Sequence, residues 1–275
     1  MLLATGNYYI DKYGREAGAE KMAKNGYKKL DLDLSDTNNE YYAAKDEEFI
    51  VKLLSLKRAL SAFGVETLLA RGPLPTDTYS KEQRALTFEK TVKAMVAVRH
   101  LGGRLLTVMP IRFSEICDGR ETLDAAREYY AALAEVAKGL GVTLCIENAA
   151  DGSRLSSLAA VSALVKEVNS PSLKLSVSVG AASARGEDFL TAIAEAEELT
   201  AVVRAEDSIE GDGTPLPLFE GNVNWAALAE CLFSIAFSGA LTVTAPICLD
   251  GSSVSEGELE ALEKRSADYA ALIAG

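Results

Sequence analysis

The chain has 275 residues, enough to bury a sizeable core, and its 48% hydrophobic and 25% charged residues exclude a disordered protein. Its 28 basic against 40 acidic side chains leave a net charge of −12, which argues against nucleic acid as a partner, because phosphate backbones are held by an excess of Lys and Arg. No run approaches the roughly 18 apolar residues of a membrane span and no signal-peptide core follows Met1, so a cytoplasmic protein without a membrane partner is expected.

From the N-terminus onward, short apolar runs alternate with longer helical patterns. Strands are predicted at Leu2–Ala4, Leu30–Leu34, Val65–Ala70, Arg104–Met109, Val142–Ile146, Leu173–Val177, Ala201–Ala205 and Leu241–Ala245. After the second strand, Phe49, Leu53, Leu56, Leu60 and Phe63 recur at steps of four and three, with Gly64 as a C-terminal cap. Leu123, Ala126, Tyr130, Leu133, Ala137 and Leu140 repeat the pattern after the fourth strand. Leu158, Val161, Val165 and Val168 repeat it after the fifth, until Asn169-Ser170-Pro171 stops it. Trp225, Leu228, Leu232 and Ile235 form a further helix, and the last one opens on a capping box, Ser255 with Glu258.

Alternating strands and helices imply a parallel sheet with right-handed crossovers, and eight such units predict one (β/α)8 TIM barrel over residues 1–275. An open doubly wound sheet is the other arrangement with this order. It lacks support because no Gly-x-Gly-x-x-Gly follows the first strand. The piece from Gly211 to Pro217 reads as a long loop after the seventh strand. Cys117, Cys145, Cys231 and Cys248 lie far apart with no Cys-x-x-Cys pair, which predicts reduced thiols. The single histidine, His100, falls at a helix C-terminus, where it interacts with the helix dipole.

Alternate residues of a barrel strand face inward. One phase is apolar and faces the helices: Leu30, Leu32 and Leu34, for example, or Leu144 and Ile146. The other carries Asp31 and Asp33, Cys145 and Glu147, Ser176 and Ser178, Arg204 and Glu206, and Thr242 and Thr244. Charges in that phase must pair, meet water or line a site, since an isolated buried charge is costly. Glu147 ends its strand at the C-terminal mouth, where it is either a general acid or base or a carboxylate held by a neighbouring cation such as Arg204. Arg71, Arg112 and Arg204 suit a phosphate or carboxylate ligand, or are ordinary rim arginines. Asp33 is either a second carboxylate beside Glu147 or a structural inward residue, and Asn148 and Asp207 complete the predicted ligand contacts.

Gly26-Tyr27 before Leu30-Asp31-Leu32, Leu101-Gly102-Gly103 before a strand ending in Met109-Pro110, the run from Gly141 to Asn148 and the run from Phe219 to Trp225 resemble, in order, the xylose isomerase-like barrel superfamily. Sugar-phosphate isomerases and epimerases and the endonuclease IV barrels belong to it. The resemblance implies a divalent metal held by a glutamate after the fifth strand, an aspartate and often a histidine after the sixth, a histidine at the seventh and a glutamate at the eighth. Glu147 matches the first. Ser178 and Ala181 stand at the second pair, Arg204 at the third and Thr244 at the last, while Asp212 keeps an acidic place whose partner histidine is replaced by Thr214. The expectation is a sugar isomerase- or epimerase-like barrel without metal or other cofactor, its guanidinium of Arg204 in the metal's charge-neutralising role. The alternative is a non-catalytic barrel binding a sugar, sugar acid or phosphate at its mouth. DNA repair by analogy with endonuclease IV fails on ligands and on charge. A homo-oligomer is compatible with the sequence.

Overall fold

The computed structural model describes residues 1–75, 80–113, 119–243 and 255–275. In chain order they form β1 (Leu2–Thr5), α1 (Tyr8–Tyr13), α2 (Arg15–Lys24), β2 (Lys29–Asp33), α3 (Glu40–Ala43), α4 (Asp46–Ala62), β3 (Glu66–Arg71), α5 (Lys81–Leu101), β4 (Leu105–Val108), α6 (Gly119–Leu140) and β5 (Thr143–Glu147). They continue through α7 (Leu158–Val168), β6 (Leu173–Ser178), α8 (Val179–Ala184), α9 (Phe189–Glu195), β7 (Thr200–Ala205), β8 (Asp207–Ile209), β9 (Asp212–Leu216), α10 (Trp225–Ser234), β10 (Ala240–Val243) and α11 (Glu256–Ala274). Eight parallel strands close into a barrel in the order β1-β10-β7-β6-β5-β4-β3-β2. The open doubly wound sheet is therefore excluded.

Local chemistry accounts for the element ends. Asn169 takes a left-handed φ of 48° to end α7, and Ser255 and Glu258 make the reciprocal capping box that starts α11. His100 lies in the last turn of α5. The piece from Gly211 to Pro217 is not a loop. Its residues 212–216 form β9, which pairs antiparallel with β8, and the Glu210-Gly211 turn is made possible by a left-handed Gly211 with φ of 82°.

The apolar strand phase packs outward, where Leu30, Leu32, Leu144, Ile146, Leu173, Leu175, Leu241 and Val243 are buried against the helices. A small second core of Ala4, Leu69, Cys145, Val202 and Ala240 occupies the inward phase. Leu69, Cys145, Val202 and Ala240 each lie two residues before a polar inward residue, namely Arg71, Glu147, Arg204 and Thr242, so an apolar plug sits below a polar layer nearer the mouth. Cys145 and Cys231 are free thiols, and burial pushes the Cys145 thiol up so that it stays protonated. Cys117 and Cys248 lie outside the described residues.

Candidate functional site at the barrel mouth

Strand register brings the inward polar residues together. Glu147 is paired with Ser176 across β5 and β6, and Arg204 with Thr242 across β7 and β10. The guanidinium of Arg204 is fully buried and spans the barrel: Nε donates to Glu147 Oε2 at 2.8 Å, Nη1 to Asp31 Oδ2 at 2.7 Å and Nη2 to Thr107 Oγ1 at 3.1 Å. Ser176 Oγ donates to Glu147 Oε2 at 2.9 Å, Arg71 Nη2 to Glu147 Oε1 at 3.1 Å, and Thr242 Oγ1 to Asp31 Oδ2 at 3.0 Å. One cation thus joins carboxylates from β2 and β5, two strands separated by β3 and β4, and a second closes on Glu147 from the rim.

Electrostatics favour the charged forms of Glu147 and Arg204. Burial works to raise the Glu147 pKa, but the charges of Arg204 and Arg71 and the hydrogen bonds from Arg204 and Ser176 outweigh it and hold the carboxyl below the usual range. For Arg204, burial opposes the charge, whereas Asp31 and Glu147 push its pKa further up, so it stays protonated. Two atoms of the layer, Asp31 Oδ1 and Arg71 Nε, are buried without a hydrogen-bond partner among the described residues. Asp31 and Arg71 both line a cleft of about 180 Å³ that Asn7, Asp11, Asp33 and Arg204 also border. A second cleft of about 110 Å³ on the other side of Arg71 is lined by Glu147 and Glu206.

The remaining predicted site residues fall into three groups. Asp33 is exposed at the mouth and accepts from Ser35 N at 2.8 Å; the carboxylate that shares Arg204 with Glu147 is Asp31, two residues earlier. Arg112 lies at the rim against Asp151, with Nη2 to Oδ2 at 2.8 Å. Asn148 and Asp207 line the smaller cleft and also hold the scaffold. The Asn148 amide brackets the Ser178 backbone, Nδ2 to O at 3.0 Å and Oδ1 from N at 2.8 Å. Asp207 is buried and accepts from Ser208 N, Val223 N and Trp225 Nε1 at 2.9, 3.0 and 2.9 Å. Asp207 therefore pins the run from Phe219 to Trp225. A Cβ at Gly221 would fall 2.3 Å from its Oδ1, which explains the glycine in that run. Ser178 Oγ donates to Glu206 Oε1 at 2.6 Å and caps α8 through Ala181 N. Thr244 lies outside the described residues.

Sequence reasoning did not single out Asp31, Thr107, Ser176 or Thr242 as members of the site. Asp31, Ser176 and Thr242 stood in the inward phase, and that phase was the available signal.

These features define a (β/α)8 barrel with an ionic layer at its C-terminal mouth. The model of the xylose isomerase-like TIM barrel family matches residues 19–265, and the chain belongs to that family. It is 24% identical over 245 residues to the D-psicose 3-epimerase of Agrobacterium fabrum (strain C58 / ATCC 33970), across 86% of this chain and 80% of that protein. Among solved structures, the D-psicose 3-epimerase of Clostridium cellulolyticum H10 with D-tagatose superposes with a TM-score of 0.79 at 15% identity, covering 99% of each chain. The IOLI protein, whose structure has a bound zinc atom, superposes with a TM-score of 0.76 at 14% identity, covering 100% of this chain and 96% of that one. At such identities the superpositions speak for a shared fold.

The donors around Glu147 do not suit a divalent ion. Both of its oxygens accept from guanidinium groups and Ser176 adds a hydroxyl donor, while the neighbouring carboxylates are engaged elsewhere, Asp31 by Arg204 and Glu206 by Ser178. Among the described residues, no three or more His, Cys, Asp or Glu side chains are grouped to hold a metal. Nor, among those residues, is any helix long and apolar enough to cross a membrane.

Proposed function

We propose that this chain is a sugar isomerase- or epimerase-like barrel that binds a sugar at its C-terminal mouth, with Arg204 standing in for the family's divalent metal. The observation that carries this reading is the guanidinium held between Glu147 and Asp31, at the centre of the ionic layer. A fixed guanidinium supplies positive charge and hydrogen-bond donors where a sugar's carbonyl or enediolate oxygen would need them, without metal coordination. The similarity to D-psicose 3-epimerase supports a sugar as ligand.

Charge at the mouth favours a neutral sugar over a sugar acid or phosphate. Arg71, Arg112 and Arg204 are each held by a carboxylate, while Asp11 and Asp33 border the larger cleft and Glu206 the smaller one. A sugar acid or phosphate would meet these acids, and among the described residues each arginine at the mouth is already paired with a carboxylate. A hydroxyl, which both donates and accepts, complements a cleft that offers Asp31 Oδ1 as acceptor and Arg71 Nε as donor.

A second reading, binding without turnover, is favoured by the state of Glu147. A carboxylate that accepts three hydrogen bonds and has a lowered pKa is a weak proton acceptor for a carbon acid. D-Psicose, D-fructose, D-tagatose and inorganic phosphate, each with and without manganese, distinguish the readings by thermal unfolding and product analysis. The leading reading expects a rise in midpoint and metal-independent interconversion. A rise without interconversion supports the second reading. Interconversion only with manganese overturns the role given to Arg204, and stabilisation by phosphate alone overturns the neutral sugar.

A further inference from the structure

The larger cleft at the mouth, about 180 Å³, is lined by Asp11, Asp31 and Asp33 together with Arg71 and Arg204. Both guanidinium groups are already matched. Arg204 lies between Asp31 and Glu147 at 2.7 and 2.8 Å, and Arg71 holds the other oxygen of Glu147 at 3.1 Å. Asp11 and Asp33 form no ion pair among the described residues, so their charges are left over at the cleft wall. Asn7, also in the lining, ties these two acids together: its Oδ1 accepts from Asp33 N at 3.0 Å and its Nδ2 donates to Asp11 Oδ1 at 3.4 Å.

A second observation belongs to the same cleft. Asp31 is 2% exposed; its Oδ2 accepts from Arg204 and Thr242, while its Oδ1 is buried with no hydrogen-bond donor among the described residues. A buried carboxylate oxygen without a donor is costly, and the cleft that Asp31 borders is the space from which a ligand supplies one. Arg71 Nε, a donor without an acceptor among those residues, belongs to a side chain that borders the same space. Desolvation raises the Asp11 pKa, and the charge of Asp33 adds to the rise against the Asn7 hydrogen bond; a positive charge in the cleft would offset both.

We propose that the sugar bound at this mouth carries a protonated amino group, seated against Asp11, Asp31 and Asp33. The proposal rests on the reading of the mouth as a sugar site and narrows the ligand to amino sugars. An ammonium group has three donors and no acceptor, so it suits a wall of carboxylate oxygens. The sugar hydroxyls beside it both donate and accept, which provides an acceptor for Arg71 Nε. A bare metal ion fits less well, because no three His, Cys, Asp or Glu side chains among the described residues are grouped to hold one and two guanidinium groups share the cleft. A hydroxyl in place of the ammonium would donate to Asp31 Oδ1 but leave the charges of Asp11 and Asp33 unbalanced.

Thermal unfolding of the full chain tests the proposal by titration with two amino sugars against their neutral parents at neutral pH and one ionic strength: 1-amino-1-deoxy-D-fructose against D-fructose, and D-glucosamine against D-glucose. At least one amino sugar is expected to half-saturate the rise in midpoint at a concentration on the order of tenfold below that of its parent. Asp11→Asn combined with Asp33→Asn keeps the oxygens that accept from Asn7 and Ser35 and removes the two unbalanced charges, so it should bring the two concentrations together. A rise with the neutral sugars and no gain from either amino group would overturn the ammonium and leave the mouth a neutral-sugar site. A preference that survives the double substitution would overturn its assignment to this cleft. No rise with any of the four sugars would overturn both the ammonium and the reading of the mouth as a sugar site.

Discussion

Arg204→Ala is expected to lower folding stability by about 3–5 kcal/mol, because it strands two buried carboxylates. The side chain is fully buried and reaches Glu147, Asp31 and Thr107 through three separate nitrogens. Asp31 would keep only the Thr242 hydroxyl, and Glu147 would keep Ser176 and the half-buried Arg71. In thermal unfolding the loss corresponds to a fall in midpoint on the order of 10 °C. Removing the charges together should be far milder. Arg204→Met combined with Glu147→Gln and Asp31→Asn is expected to recover most of the loss, since no uncompensated charge then remains inside the barrel. A single Arg204→Ala variant as stable as the natural chain would show that the ionic layer does not hold the barrel interior together.

Acid should weaken the fold through the same layer. The folded Glu147 has a lowered pKa, whereas in the unfolded chain a glutamate titrates near about 4.3. With the folded value below the unfolded one, the unfolded state binds the proton first as pH falls. The contribution of Glu147 is therefore fully present above the unfolded value and is lost as pH drops through the folded one. Urea unfolding at a series of pH values from neutral down to about 3 should show a flatter pH dependence for Glu147→Gln than for the natural chain across this window. An equally steep dependence in the variant would assign the acid sensitivity to other carboxylates.

How far the sequence foretold this site follows from the period of two along each strand. Glu147 and Arg204 fell on the inward phase of apolar strands, and both stand there at the mouth end. The same phase contained Asp31, but strand alternation ranks residues by direction and not by depth, so Asp33 at the strand end looked as inward as Asp31. Depth is set by barrel closure and strand stagger, which no single strand encodes. The scaffold contacts of Asp207 were hidden for a different reason. Its partners Val223 and Trp225 lie 16 and 18 residues further on, beyond the β8–β9 hairpin, and nothing local announces that contact. Helices with strong four-and-three spacing, such as α4 and α6, were legible. The paired helices α1 and α2 after β1 carry mixed, weakly patterned faces and were not.

The place of Arg204 at the centre of the mouth is the claim on which the functional reading turns. Quantifying divalent metals in the purified chain, followed by titration with manganese and zinc, tests it most directly. The account predicts no stoichiometric divalent ion and no saturable binding that depends on Glu147. One tightly bound divalent ion per chain, lost on Glu147→Gln, would contradict it.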